Sequence, residues 1–234
     1  MTINAAGRNI PDTIPGYGEV RHFKGHDRRP PEGCRFGKRN RAAFNTRRDK
    51  TLPDLKAAIS ASGLKSGMTV SFHHHLRDGD YVVNAVIDAC AEMGIRDLVI
   101  FPTALFKVHK HLTKHIQNGV IRQIMGSVNG PIGQLASEGG FSVPVVLRSH
   151  GGRPRAVTSG DVVIDVAFIA APTADNYGNL TGAVGRSACG SLGYAHSDAH
   201  YAQCVVAVTD NLVNYPAPCI QIPQFFVDFV VPVD

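Results

Sequence analysis

The sequence predicts an α/β fold in which a largely parallel, open sheet carries helices on both faces. Three observations support this prediction. Short apolar runs alternate with segments of helical periodicity through most of the 234 residues. Successive apolar runs are separated by a helix rather than by a two-residue turn, which favours parallel pairing with right-handed crossovers. Hydrophobic residues make up 44% of the chain, as expected of a packed globular protein.

The clearest evidence is a strand–helix–strand unit early in the chain. Its three parts are residues 66–72, 78–94 and 95–102. Six apolar residues recur on one face of its helix: Val82, Val83, Val86, Ile87, Cys90 and Met93. The side chain of Asp78 or Asp80 is placed to cap the start of this helix, and Gly94 fits its end.

The remaining elements continue the alternation. Further helices are predicted over residues 51–64, 103–118, 130–140 and 194–203. Further strands are predicted over residues 120–128, 141–149, 162–172, 204–210 and 225–234. The longest apolar run is 162–172, and we expect it to be a central strand because parallel strands are buried on both faces.

Basic residues are concentrated in one segment rich in Pro and Gly. Residues 21–50 contain eleven Lys and Arg and three acidic residues, a balance of +8, whereas the rest of the chain carries −3. We therefore expect a basic, irregular arm over residues 1–50 and an α/β domain over residues 51–234. A partner subunit or a phosphorylated cofactor is favoured over nucleic acid as the target of this arm, since few aromatic residues interleave with its charges.

Composition favours a cytoplasmic protein. No apolar run approaches the roughly 20 residues of a membrane-spanning helix, and residues 1–12 lack the pattern of a secretory signal. The cysteines show no CxxC spacing, and we expect them to be reduced thiols. They are Cys34, Cys90, Cys189, Cys204 and Cys219.

Residues 73–80, HHHLRDGD, follow the first strand of the predicted sheet and precede a helix. Ligands of parallel sheets collect at such strand ends. His73 and His75 share one side of an extended chain, and Arg77 adds a planar donor fork beside the helix N-terminus. These groups suit a carboxylate, a thioester oxygen or a phosphate. A satisfied core histidine and a surface arginine are the plainer interpretation of the same residues.

A metal site is the other alternative for these histidines. Three adjacent histidines cannot easily converge on one ion, so further ligands would have to come from elsewhere in the chain. His111 and His115 lie four residues apart on the following predicted helix. The anion site is the better-supported interpretation, and we expect no metal.

Two glycine-rich connections, residues 125–133 and 171–182, also follow predicted strands. Small and turn-forming residues there let the backbone approach a ligand, although tight turns need the same residues. The candidates for lining a thioester or pantetheine cleft are Gly126, Asn129, Gly130, Gly133, Asp175 and Asn179.

No catalytic nucleophile is evident. The GxSxG pattern of hydrolases is absent from the sequence. Glu138 could act as an acyl-forming carboxylate, but a position near a solvated helix end explains it equally well. Ser197, Asp198 and His200 would point in different directions on a helix and do not suggest a catalytic triad. The catalytic residues are therefore unknown from the sequence.

Three segments together resemble the citrate lyase alpha subunit. They are residues 66–86 (SGMTVSFHHHLRDGDYVVNAV), 129–140 (NGPIGQLASEGG) and 164–182 (IDVAFIAAPTADNYGNLTG). The resemblance implies a CoA-transferase-like domain, a fold shared with sugar-phosphate isomerases. It covers only the N-terminal half of that family, whose second domain has no counterpart here.

The resemblance also implies a citrate CoA-transferase activity. In the family, citryl replaces acetyl on the thiol of a phosphoribosyl-dephospho-CoA group, which belongs to the acyl carrier protein (gamma) subunit and is a substrate rather than a cofactor bound to this chain. The exchange passes through a mixed anhydride without a glutamyl thioester. The implied partners are the beta and gamma subunits, citrate and acetate, and a homo-oligomer is expected.

Two other functions stay open. One is a non-catalytic half-domain that binds partner subunits or a small carboxylate, and it is motivated by the short chain. The other is a phosphosugar isomerase of the same broad fold, for which the HHHLRDGD segment has no evident use.

Overall fold

A computed structural model of the chain describes residues 2–4, 6–22, 49–73 and 80–233. Its strands are β1 (Thr2–Ile3), β2 (Asn9–Ile10), β3 (Thr13–Ile14), β4 (Gly18–Glu19), β5 (Thr69–Phe72), β6 (Leu98–Pro102), β7 (Ala104–Leu105), β8 (Ile121–Ile124), β9 (Ser127–Val128), β10 (Val166–Ala171), β11 (Thr173–Asp175), β12 (Leu180–Thr181), β13 (Cys204–Thr209), β14 (Leu212–Val213) and β15 (Phe229–Pro232). Its α-helices are α1 (Leu55–Ser62), α2 (Val82–Glu92), α3 (Leu112–Gln117), α4 (Gly130–Ser137), α5 (Gly152–Thr158) and α6 (Ala195–Tyr201). Two 3₁₀ helices span Lys107–His111 and Gln224–Phe226.

The predicted α/β class and parallel sheet are confirmed. Six strands pair in the order β15-β13-β10-β5-β6-β8, and every pair is parallel. The chain builds outward from β5 through β6 to β8, then returns to the other side of β5 and continues through β10 and β13 to β15. The order therefore reverses at β5, and such a switch point opens a crevice at the carboxyl ends of the strands.

Helices cover both faces because successive strand residues point to opposite sides of the sheet. Ile100 and Phe168 pack in a core with residues of α1, α2, α3 and α4. Their strand neighbours Phe101 and Ile169 pack in a second core with residues of α5 and α6. Apolar runs without alternation, as in β6 and β10, are thus explained by burial on two faces.

Aspartate carboxylates bind backbone amides at the starts of α1 and α2, and the one at α2 is the predicted Asp80. The carboxylate of Asp54 accepts a hydrogen bond from the amide of Ala57 at 2.8 Å and starts α1, and Gly63 ends it with φ of 71°. At α2, Asp80 Oδ1 accepts from the amide of Val82 at 2.9 Å. Asp78, the alternative cap, lies outside the described residues.

The predictions for two segments were wrong. Residues 141–149 were expected to form a strand, but the structure gives them only an isolated bridge between Val146 and Met125. Pro144 lacks an amide donor, which disfavours a place inside a sheet. Residues 103–118 were expected to form one helix. The extended backbone of Phe106 breaks that segment, so β7 and a 3₁₀ helix precede α3.

The remaining differences concern short elements. Helix α5 was missed because its two leading glycines and Pro154 are poor helix signals. Strands β11, β12 and β14 form a small three-stranded sheet of two- and three-residue pieces, which carry too little periodicity to be recognised.

The N-terminal arm was expected to be irregular. In its described part, β1–β2 and β3–β4 each form a two-residue antiparallel ladder. Residues 23–48, which hold most of the basic charge, lie outside the described residues. None of the helices in the described ranges is long and apolar enough to cross a membrane.

Candidate anion-binding cleft

The candidate site is a cleft beyond the carboxyl ends of β6 and β8, on one side of the switch point of the sheet. Thr103 follows β6 directly, and Gly126 follows β8 after one residue. The cleft encloses about 390 Å³. Polar and basic residues on its wall are Asn129, Arg148, Ser149, His150, Arg153 and Tyr194. Among the described residues that line it there is no acidic side chain.

Arg153 is the centre of the cleft wall. It is the second residue of α5, and only 3% of the residue is exposed. Its guanidinium carbon lies 4.3 Å from the ring centroid of Phe101, and Nη2 donates a 2.9 Å hydrogen bond to the carbonyl of Phe101. These contacts hold the planar fork against the end of β6.

A fully buried carboxylate lies behind Arg153. Nη1 and Nη2 of Arg153 donate to Oδ1 and Oδ2 of Asp198 at 2.9 and 2.8 Å. Nε2 of His73 lies 3.0 Å from the same Oδ2. Burial alone would raise the pKa of Asp198, but attraction by Arg153 and His73 outweighs it and holds that pKa well below its usual value. Asp198 therefore stays ionised and keeps the guanidinium in place.

Two donors in the cleft wall have no acceptor among the described residues. Nε of Arg153 and Nε of Arg148 are both buried and make no hydrogen bond to any described residue. A buried donor without a partner costs free energy, and this cost is relieved when an acceptor arrives. An anion with several oxygens is the kind of ligand that two such guanidinium groups favour.

The predicted residues at the end of β5 are only partly described. The imidazole of His73 is 1% exposed, and its described contact is with Asp198. Nε2 of His73 therefore faces Asp198 rather than an external anion. His75 and Arg77 lie outside the described residues, and their role as anion ligands stays a prediction.

The glycine-rich connection after β8 is divided between two surfaces. Gly126 and Asn129 line the cleft. A Cβ atom at Gly126 would lie 2.3 Å from the carbonyl oxygen of Pro102, so the close approach of the two strand ends requires glycine here. Gly130 packs against Lys107, and Gly133 lines a separate groove beside Phe141.

Asp175 and Asn179 bind each other in a buried hydrogen-bond network. Neither is among the described residues that line the cleft. Asp175 is completely buried and accepts hydrogen bonds from the amides of Tyr177, Asn179 and Ala217 at 2.8–3.0 Å. The amide group of Asn179 donates to Asp175 Oδ2 at 2.7 Å, and its oxygen accepts from Gln224. These contacts stabilise the turn after β11, and the predicted role in a thioester cleft stays a prediction.

From the sequence, neither Glu138 nor the group Ser197, Asp198 and His200 was expected to supply a nucleophile. The contacts of these residues agree with that expectation. Glu138 is exposed at the end of α4 and accepts from Gln134 at 2.8 Å. His200 Nδ1 faces the carbonyl of His196 at 2.6 Å, whereas the carboxylate of Asp198 binds Arg153. Ser197, Asp198 and His200 therefore do not form a proton-relay chain.

Sequence reasoning missed the basic wall of the cleft. Residues 148–155, RSHGGRPR, concentrate three arginines and a histidine just after an apolar run, and that clustering was the available signal. A second signal was Asp198, which shares a helix face with Ala195, Ala199 and Ala202, all of them buried. An acid at a core position requires a cationic partner.

A second cavity of about 350 Å³ lies beyond the ends of β10 and β13. Its wall is mostly apolar and includes Ala170, Ala171 and Val208, with the carboxylates of Asp80 and Asp210 at its edge. Asp210 is paired with Arg186 at 3.1 Å, and Asp80 accepts from the amide of Val82. We place the anion site in the Arg153 cleft because two arginines and no acidic side chain are among the described residues that line it.

Comparison with known proteins identifies the family. The model of the family described as citrate lyase, alpha subunit (CitF) matches residues 48–234. The chain belongs to the citrate lyase alpha subunit family. It is 48% identical over 189 residues to the citrate lyase alpha chain of Klebsiella pneumoniae, covering 80% of this chain and 37% of that protein. Identity to the Escherichia coli alpha chain is 44% over 193 residues, with coverage of 82% and 38%.

Solved structures agree with this assignment to the citrate lyase alpha subunit family. A citrate lyase alpha subunit from Streptococcus mutans in complex with citrate is 45% identical, with a TM-score of 0.85 over 97% of this chain and 44% of that chain. Glutaconate coenzyme A-transferase from Acidaminococcus fermentans is 14% identical, with a TM-score of 0.58 over 79% of this chain and 75% of that chain. The latter shows the fold alone and confirms the predicted CoA-transferase-like domain. The chain spans less than half the length of these alpha-chain relatives.

Proposed function

We propose that this chain provides the citrate-binding cleft of a citrate CoA-transferase, which exchanges acetyl for citryl on the thiol of an acyl carrier protein prosthetic group. The observation that carries the proposal is the cleft wall itself, in which Arg148 and Arg153 each have a buried Nε that finds no acceptor in the part of the chain that the structure describes. Membership of the citrate lyase alpha subunit family supports citrate as the anion, as does the citrate present in the Streptococcus mutans relative.

The proposed chemistry needs no protein nucleophile. A citrate carboxylate oxygen attacks the acetyl thioester carbonyl, the carbon–sulfur bond breaks, and a mixed anhydride and a thiolate result. The thiolate then attacks the citryl carbonyl of the anhydride, which forms citryl thioester and releases acetate. Arginine groups would contribute by holding two negatively charged reactants together and by stabilising the oxyanions.

The proposed partners are the citrate lyase beta subunit and the acyl carrier protein subunit, which brings the phosphoribosyl-dephospho-CoA thioester as substrate. A homo-oligomer is also proposed. The alpha-chain relatives are more than twice as long as the matched segment, so the remainder of an alpha subunit is expected to complete the reaction site.

Citrate binding to the 234-residue chain tests the cleft. We expect isothermal titration calorimetry to show that Arg148→Gln weakens citrate binding by roughly tenfold to a hundredfold, because one charge-assisted contact is lost. Arg155→Gln is the matched control, since Arg155 lies on α5, is exposed and does not line the cleft. Equal affinities of the two variants, or no binding by the unmodified chain, would refute the proposed site.

Turnover is tested separately with acetyl-CoA as donor and citrate as acceptor. The chain is mixed with a polypeptide corresponding to the rest of an alpha-chain relative, and citryl-CoA is detected by mass spectrometry. Formation of citryl-CoA supports the transferase. Citrate binding without any citryl-CoA would instead favour the non-catalytic half-domain, for which the short span of the chain is the motivating observation.

A further inference from the structure

A second cluster of imidazole and carboxylate groups lies on the outer surface of helices α2 and α3. Nε2 of His111 is 2.7 and 2.8 Å from Oδ1 and Oδ2 of Asp88. Nε2 of His115 is 2.6 Å from the same Oδ1. The two imidazoles are four residues apart, so the continuous helical path from the 3₁₀ helix into α3 places them on one face.

The donor set is one that metal ions prefer. One ligand atom from each of Asp88, His111 and His115 lies within 4.8 Å of the others. Two imidazoles and one carboxylate bind Zn²⁺ and other divalent transition cations. Tetrahedral zinc holds its ligand atoms about 3.3 Å apart, given bond lengths of about 2.0 Å. The two contacts of 2.6 and 2.7 Å between imidazole nitrogens and Asp88 Oδ1 would therefore lengthen by roughly 0.6–0.7 Å on binding an ion.

The solvent exposure of these side chains favours a site that exchanges a metal ion with solvent over a purely structural ion pair. The side chain of His115 is 7% exposed and anchors the cluster, whereas those of His111 and Asp88 are 39% and 37% exposed. An ion can approach from solvent and retain a water as its fourth ligand. The opposing group is Lys114, whose Nζ lies 3.4 Å from Asp88 Oδ1, but its side chain is 52% exposed and can turn outward.

We propose that Asp88, His111 and His115 form a binding site for one divalent transition-metal cation, with Zn²⁺ as the probe, that links α2 to α3. The site lies outside the citrate cleft described above and is independent of the proposed transferase function. Asp88 comes from α2, His111 from the end of the 3₁₀ helix and His115 from α3. Because α2 and α3 pack in the same core, a bound ion would join them more firmly than hydrogen bonds do.

The test uses the untagged, chelator-treated 234-residue chain with Cys34 and Cys219 replaced by serine, so that these thiols do not compete for zinc. Titration with Zn²⁺ should give one equivalent bound, with a saturable increase in the midpoint of thermal unfolding. Co²⁺ in place of Zn²⁺ should give visible absorption typical of a tetrahedral site. His111→Ala should weaken binding by at least the roughly 10- to 100-fold that loss of a supporting group costs in metal sites.

Two further variants sharpen the test. Lys114→Gln should bind Zn²⁺ more tightly, because a competing positive charge is removed. His22→Ala is the control, since His22 lies 3.6 Å from Asp12 and no third His, Cys, Asp or Glu in the described ranges joins that pair to form a metal-binding group. No equivalent of Zn²⁺ bound, or equal weakening by His111→Ala and His22→Ala, would overturn the proposal.

Discussion

Two carboxylates in this molecule have similar partners and opposite surroundings. Asp198 contacts Arg153 and His73 and is completely buried. Asp88 contacts His111 and His115, and its side chain is 37% exposed. At Asp198, removal from water makes an unpaired charge very costly, so the cluster acts as a rigid support for the cleft. At Asp88, water screens the charges, so the cluster contributes little to folding and is free to bind an ion.

The largest expected effect is that of Asp198→Asn. The substitution leaves the buried guanidinium of Arg153 without its counter-ion, so the free energy of unfolding should fall by about 3–5 kcal/mol. Urea denaturation measures this change. Asp161→Asn, at an exposed position, is the control and should leave the free energy of unfolding unchanged.

Acid provides an independent check of the same contribution. The folded-state pKa of Asp198 lies below its unfolded value, so the stabilisation is complete above the unfolded pKa of about 3.9 and is lost as pH falls through the folded pKa. The difference in stability between the unmodified chain and Asp198→Asn should therefore be constant from neutral pH down to about 4 and shrink below it. A difference that grows on acidification would contradict the assignment.

An intermediate effect is expected for Arg153→Lys. Lysine keeps the charge but cannot reproduce the two hydrogen bonds to Asp198 together with the one to the carbonyl of Phe101. The free energy of unfolding should fall by about 1.5–3 kcal/mol, as for loss of a charge-assisted hydrogen bond. Arg155→Lys, on the exposed side of α5, should show no change, and equal destabilisation of both variants would argue against a special role for the Arg153 fork.

The smallest effect is expected for Asp88→Asn in the absence of metal. Because the carboxylate is partly exposed, its ion pairs should contribute no more than about 1 kcal/mol. The change should decrease further as salt is added, since exposed charges are screened. Urea denaturation at low and high salt measures both points. A loss as large as that of Asp198→Asn would remove the contrast between the two clusters.

Much of the fold could be predicted from local sequence. Buried strands such as β6 and β10 were recognised because both of their faces are apolar, and α2 because its apolar residues recur with helical spacing. The segment containing Phe106 was mispredicted, since a local side-chain contact competes there with the helix. The amide of Phe106 donates to His109 Nδ1 at 2.8 Å, and such a local competitor of the helix leaves no periodic signal.

The candidate site was predicted less completely than the fold. Two of the predicted residues, Gly126 and Asn129, line the strand-end cleft, and their role toward a thioester stays a prediction. Sequence position could not show that Arg153 lies against Asp198, 45 residues later, or that His73 shares that carboxylate. Contacts between distant residues depend on how helices α5 and α6 pack on the sheet, which no local pattern encodes.

The sequence by itself determined the α/β class, the parallel sheet and the family, because each depends on periodicity and motifs within short windows. Only the tertiary structure decided which charged groups meet. Asp198 and Asp88 look alike along the chain, as acids within helical segments. Their surroundings differ because one helix face turns toward the sheet and the other toward water, and the dielectric environment then sets what each carboxylate can do.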